Sequence, residues 1–166
     1  MCCIIIIVRK IIILKCVEVV IMTEARFNEI VKNLDNIVNE NEPKFRKIFN
    51  NSKNAYAILQ LPIEADYKFR GFEDVVKMTK KIPTRADYKL IYAKALHTKY
   101  TEDGTPRSIA DDIFTVFNRP DRPGFDEDYY GTSVSVSDVL VIKINDVVFI
   151  YYVDTFGFQR LENFEV

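Results

Sequence analysis

Three serines on alternate positions run into an aspartate in "DYYGTSVSVSDVLV", the stretch from Asp128 to Val141. Ser133, Ser135 and Ser137 carry hydroxyls of the kind that attack acyl and phosphoryl groups, and Asp138 is an acid at their side. A serine hydroxyl becomes a nucleophile only when a base takes its proton, and histidine is the usual base. His97 is the one histidine of the chain. It follows a predicted strand and opens a turn, with no cysteine or serine motif around it. The Gly-x-Ser-x-Gly elbow is also missing, and "GTSVS" resembles it only superficially. A surface role suits His97 better than general-base work.

Carboxylates offer a second chemistry. Asp126, Glu127 and Asp128, with Asp111 and Asp112 nearby in sequence, are ligands a hard cation such as Mg²⁺ or Ca²⁺ accepts. They lack the alternating Asp-x-Asp-x-Asp-Gly order of a calcium loop, so a solvated acidic stretch is the better reading and no metal site is expected. The five glycines, at 71, 104, 124, 131 and 157, never form a phosphate-binding loop. No cofactor is expected.

A third possibility is recognition. In "YYVDTFGF", Tyr151, Tyr152, Phe156 and Phe158 are suited to a stacking surface for a partner, with Tyr129 and Tyr130 close by in sequence. The competing reading is structural and leads: Asp154 starts a turn, Gly157 supplies its unusual backbone angle, and alternate aromatics pack across a sheet.

Something must position these residues, and the composition allows it. A chain of 166 residues that is 48% hydrophobic and 13% aromatic can build one packed domain. A net charge of −1 gives no general electrostatic footprint for nucleic acid. Lys77, Lys80, Lys81 and Arg85 are the best candidates for a local basic patch, although a solvated surface explains them more simply.

The first 21 residues, "MCCIIIIVRKIIILKCVEVVI", differ from the rest. Arg9, Lys10, Lys15 and Glu18 break the run well short of the roughly 20 uncharged residues of a membrane span. The charge follows the first isoleucine run, unlike a secretory signal. Codons for Val17–Glu18–Val19–Val20 can contain a purine-rich ribosome-binding sequence just ahead of Met22. We therefore expect Met22 as the start and residues 1–21 as a translated leader, with an extra N-terminal strand as the alternative. All three cysteines, Cys2, Cys3 and Cys16, lie in that leader, so the remainder has no thiol. A cytoplasmic location without membrane attachment follows as the simplest expectation.

From Thr23 the pattern turns helical. Phe27, Ile30, Val31, Leu34, Ile37 and Val38 recur on one face, giving an amphipathic arm over 22–50 that Pro43 stops or restarts. "NNSKN" is a loop. "AYAILQL" (Ala55–Leu61) reads as a strand and "FEDVVKM" as a short helix. "DYKLIYAKAL" reads as a second strand whose alternation is imperfect. Ser108 caps a further helix, with Asp111 and Asp112 placed in its first turn. A β-meander follows: Thr132–Val136, Val139–Ile144 and Val147–Tyr152, closed by Phe158–Leu161. Asn145–Asp146 marks a two-residue hairpin. The order predicts an α+β fold, a small antiparallel sheet packed with two or three helices.

Three motifs carry a resemblance. "DIFTVFN" (Asp112–Asn118), "DYYGTSVSVSDVLV" and "YYVDTFGF" are similar to the signature of the YodL-like domain, and "YAILQL" and "DYKLIYAKAL" resemble the segment preceding it. The resemblance covers about Ala55 to Phe164, within a domain set at 55–166. Thr132 stands where the family usually carries Arg or His, and the loop before Asp128 is longer than typical. Such domains occur in Firmicutes, often in large polyvalent proteins of conjugative elements and phages. The resemblance implies no catalytic residues. The matching positions are Asn118, Asp128, Tyr129, Gly131, Ser133, Ser135, Ser137, Asp138, Tyr152, Asp154, Gly157 and Phe158, fold-defining first and an interaction surface second. Ser133, Ser135 and Ser137 are expected on one face of a strand, with Val134 and Val136 inward.

The functional expectation is a non-catalytic module that binds a protein partner. The alternative is a nucleic-acid-associated or DNA-mimicking anti-defence protein, displaying Asp111, Asp112, Asp126, Glu127 and Asp128 as phosphate-like charge.

Overall fold

The computed structural model describes residues 11–12, 20–21, 24–97, 104–119, 126 and 128–164, without the side chains of the first four of these, Glu24 and Phe27. The chain divides into two units, Met1–Ile37 and Val38–Val166. In the first, β1 (Ile11–Ile12) pairs antiparallel with β2 (Val20–Ile21) in a two-stranded ribbon of its own. The rest of the expected leader, with its three cysteines, lies outside the described residues. Helix α1 (Glu24–Asn51) starts in the first unit and ends in the second.

Proline 43 neither stops nor restarts α1, contrary to the sequence expectation. It removes one helical hydrogen bond, but the turns beyond it are anchored. Phe45 and Phe49 are buried. The last turn carries no basic residue of its own. Lys143 supplies that charge from the sheet, donating from Nζ to the carbonyls of Phe49 and Asn50 and lying 4.8 Å from the centre of the Phe49 ring. A cation on the final carbonyls complements the helix dipole.

The second unit is built on a five-stranded antiparallel sheet in the order β4-β3-β5-β6-β7. Its strands are β3 (Ala55–Gln60), β4 (Lys89–Ala95), β5 (Val139–Ile144), β6 (Val147–Val153) and β7 (Phe158–Arg160). Helices α2 (Phe72–Thr79) and α3 (Pro106–Phe117) complete it, with a 3₁₀ turn at Arg85–Asp87. The α+β class stands. No helix among the described residues is long and apolar enough to cross a membrane.

Central β5 reads "VLVIKI" without alternation because both faces of the sheet are covered. On one face Tyr56, Tyr92, Phe117 and Tyr129 form a continuous ring cluster, joined by Phe45 at 5.3 Å from Tyr92. On the other, Phe72 meets Tyr152 edge-on at 5.4 Å and Val75 is buried. Strand β4 alternates badly for a reason: Ile58 pairs with Tyr92 but Leu59 with Leu90, which leaves Ile91 as the extra residue of a bulge.

Two further elements differ from expectation. Thr105, not Ser108, caps α3, accepting the Ser108 amide on its hydroxyl with Pro106 opening the helix, so Asp111 and Asp112 fall beyond the first turn. Thr132–Val136 is not a strand. Many of its backbone groups bond side chains or the end of α3 instead of a neighbouring strand, as described below.

The hairpin is as expected, with Asn145 and Asp146 both at positive φ, 50° and 65°. Its tip is held from outside: Asn54 accepts the Asn145 amide on Oδ1, and the Lys53 carbonyl accepts the Asp146 amide. Asp146→Gly keeps that backbone bond and removes the Cβ penalty of a left-handed residue. Urea unfolding is expected to show a gain of about 1 kcal/mol; a loss would mean that the Asp146 carboxylate contributes more than its backbone geometry costs.

Candidate functional site

At the end of the sheet where β3 finishes and β5 begins, Asp138 is almost wholly buried, with 1% of its side chain exposed. A carboxylate there needs donors. Oδ2 accepts from Gln60 Nε2 at 2.8 Å and from the Ser135 amide at 2.9 Å. Oδ1 has no hydrogen-bond partner among the described residues and faces Lys68 Nζ at 4.0 Å. Lys68 is itself buried and donates to the Leu61 carbonyl at 3.0 Å. Burial pushes the Asp138 carboxyl up to about 6, against the opposite pull of Lys68, the Ser135 amide and Gln60. Burial likewise lowers the Lys68 ammonium, opposed by Asp138 and Glu64. Three phenols, Tyr88, Tyr129 and Tyr152, feel the same carboxylate, and each is raised, chiefly by burial.

The signature residues tie two irregular segments to this centre. Gln60 grips residue 132 on both sides: its Oε1 accepts the Thr132 amide, and its Nε2 also donates to the Thr132 carbonyl, both at 3.0 Å. The Tyr129 hydroxyl donates to the same carbonyl. Gly131 passes so close that an added Cβ would lie 2.5 Å from Ile91 Cγ2, the bulged residue of β4, and 2.6 Å from Gln60 Oε1. Asn118 Nδ2 donates to the Val134 carbonyl, and the Val134 amide donates to that of Phe117. Val134 is thereby buried, as expected, while Val136 is only partly so.

The three serines do not share a strand face. Ser133 and Ser135 are partly exposed, and Ser135 Oγ donates to the Ser133 carbonyl. Ser137 is fully buried at φ 82°. Its Oγ accepts the amide of Phe69, another left-handed residue at φ 66°, and its carbonyl accepts from the Tyr88 hydroxyl. Two left-handed residues other than glycine, joined by one hydrogen bond, are strained positions that the surroundings must enforce.

The second signature works similarly. Tyr152 follows the leading, structural reading of its motif: it is buried and donates from its hydroxyl to the Arg70 carbonyl at 2.6 Å. Tyr151 is buried too, and Phe158 is partly buried, edge-on to both Phe114 and Tyr151. Asp154 Oδ1 accepts the amides of Phe72 and Thr155. It therefore caps α2 from a distant part of the chain, where the local N-cap, Gly71, has no side chain to offer. Gly157 takes φ 76° beside the Arg107 guanidinium. Phe156, inside this turn, is 95% exposed.

The remaining candidates are spent elsewhere. Asp126 accepts from Lys94 and from the Tyr92 hydroxyl, and these bonds hold its carboxyl down at about 2. Asp128 pairs with Lys44 at 3.0 Å. Asp111 and Asp112 are exposed on α3, and Glu127 lies outside the described residues. No group of three His, Cys, Asp or Glu among the described residues could hold a metal ion. His97 is exposed. Of the basic candidates, Lys77 pairs with Glu73 and Arg85 with Glu42. Sequence reasoning missed Gln60, Lys68 and Tyr88. Gln60 alone left a trace, as a lone amide in the apolar run "AYAILQL".

The region so organised, from the first residue of β3 to buried Phe164, is also what a comparison with protein families picks out: residues 55–164 match the YodL-like domain. The chain belongs to the YodL-like domain family. No curated protein and no solved structure matches it. Helix α1 lies outside the matched YodL-like region, although its C-terminal carbonyls are held by Lys143 within it.

In this YodL-like domain Gly131→Ala has no space for its methyl group, since Ile91, Gln60 and the Tyr129 hydroxyl all lie within 2.8 Å of the added carbon. Denaturant unfolding is expected to show a loss of about 1–3 kcal/mol. An unchanged midpoint would show that the 129–138 loop is not held against β3 and β4.

Proposed function

We propose that this YodL-like protein is a non-catalytic interaction module, bacterial or encoded on a mobile element and acting in the cytoplasm, that binds a protein partner through the Asp154–Gly157 turn. The observation carrying this reading is Phe156, a phenylalanine with 95% of its surface in water on a turn that is otherwise tightly bonded. Burial of such a side chain returns roughly 1.5–3 kcal/mol. The fold does not use that gain, whereas an interface can.

The surroundings support the same reading. The backbone of the turn is fixed by Asp154 and by the left-handed Gly157, so docking orders little that is not already ordered. The segment 69–72 lies alongside, where Gly71 closes on Thr155 and half-exposed Phe69 adds apolar surface. Arg107 stands on the other side, at Gly157. Aromatic and arginine side chains are the residue types that dominate binding energy at protein interfaces. The hydroxyls of Tyr129, Ser135, Ser137 and Tyr152 and the carboxylates of Asp138 and Asp154, by contrast, are engaged in holding the backbone.

Affinity purification from the native host with full-length protein and with Phe156→Ser tests this. A partner retained by the wild type is expected to be lost with the variant, since truncating a hot-spot aromatic by about 2 kcal/mol weakens binding roughly thirtyfold. Recovery of the same proteins with both would contradict the reading.

A further inference from the structure

The Lys68–Asp138 pair has a geometry that an ion pair does not need. Its two carboxylate oxygens are treated differently: Oδ2 is pinned by the Gln60 amide and the Ser135 backbone N–H, while Oδ1, which faces Lys68, has no hydrogen-bond partner among the described residues. Both side chains are almost fully buried, 4% and 1% exposed, beside Phe69, Tyr88 and Tyr129. Two fixed donors on one oxygen of a carboxyl group, with an amine on the side of the other, is the arrangement that stabilises a tetrahedral acyl intermediate.

We propose that Lys68 and Asp138 are joined by an intramolecular amide bond between Nζ and Cγ, formed by the folded chain itself. The atoms balance without any co-reactant. A proton passes from Nζ to Oδ1, leaving a neutral amine and a neutral carboxylic acid, the forms that burial favours in both groups. The Nζ lone pair then forms a bond to Cγ, and negative charge develops on Oδ2 between Gln60 Nε2 and the Ser135 amide. A second proton moves from nitrogen to Oδ1, the Cγ–Oδ1 bond breaks, and one water leaves. Oδ2 remains as the amide carbonyl with both of its donors. The Leu61 carbonyl, which accepts from Nζ at 3.0 Å, positions the amine and then accepts from the single remaining amide N–H. Nζ and Oδ1, 4.0 Å apart, must first close to hydrogen-bond distance for the proton transfer, and Nζ must then approach Cγ to the roughly 3–3.5 Å of a near-attack geometry.

The product resolves two structural costs, the buried charges and the unpartnered oxygen. It also fixes the segment between β3 and α2, which carries Phe69, to the start of β5 by a covalent link. Gln60 and the Ser135 amide are then donors to the reacting oxygen, which gives the signature a use beyond packing.

Intact mass spectrometry of the purified full-length chain under denaturing conditions tests this. The mass is expected to fall below that of the sequence, after N-terminal processing, by one water. Proteolysis should release a branched peptide joining Lys68 to Asp138, and Lys68→Arg should restore the water. Gln60→Ala, which removes one donor from Oδ2, is expected to leave a larger unjoined fraction. A wild-type population with the full sequence mass overturns the proposal, and so does a water loss that survives Lys68→Arg. Because the wild-type mass is decisive, a variant that fails to fold does not blur the result.

Discussion

Placing a carboxyl group in the core of a small protein imposes obligations that apolar packing does not. Each of its oxygens wants donors, and each donor has to be brought from somewhere and held there. Asp138 lies where β3, β5 and two irregular segments meet, and its demand for donors determines what those segments can do. Gln60 turns toward it and grips residue 132 with the rest of its amide. Ser135 bends its backbone to present an N–H. The Ser137 backbone that follows is left-handed and buried, and its hydroxyl takes the Phe69 amide. A loop that would otherwise need a ladder or water thus acquires a fixed shape from a few side chains.

The same economy appears elsewhere in the second unit. Helix ends are capped by residues remote in sequence, α2 by Asp154 and the last turn of α1 by Lys143. Aromatic side chains lie on both faces of the sheet: the Tyr56, Tyr92, Phe117 and Tyr129 cluster covers one, and Tyr152 and Phe72 help cover the other. With polar residues bound to backbone and most aromatics inside, the surface singles out Phe156, which neither packs nor bonds in the domain. Its proposed role in recognition rests on that contrast.

Local rules were legible in the chain. Asn145–Asp146, Gly157 and the α2 segment obey short-range turn and helix chemistry, and each formed where it was expected. The imperfect alternation around Tyr88 to Lys94 was a true sign of a bulge, although only pairing with β3 reveals which residue is extra. The errors share a cause, tertiary contacts that override local preference. Pro43 breaks isolated helices, but α1 continues because Phe45 and Phe49 are anchored beyond it. Alternation at Ser133, Ser135 and Ser137 mimics a strand, but distant Gln60 and Asn118, with the nearer Asp138, take the backbone groups instead. Lys68 gave no signal, since a lysine in "DYKF" looks like any surface lysine until Asp138 is placed opposite it.

Backbone amides in irregular segments and at helix starts ordinarily exchange fast, whereas signature side chains bond those of Ser135, by Asp138, of Phe69, by Ser137, and of Phe72 at the start of α2, by Asp154. Native-state hydrogen exchange at these positions tests most directly whether the signature serves to hold the fold. Protection comparable to that of the central strands β5 and β6 is the result this account predicts. Exchange at the rate of an open loop would contradict it, and would return the serines and Asp138 to consideration as free functional groups.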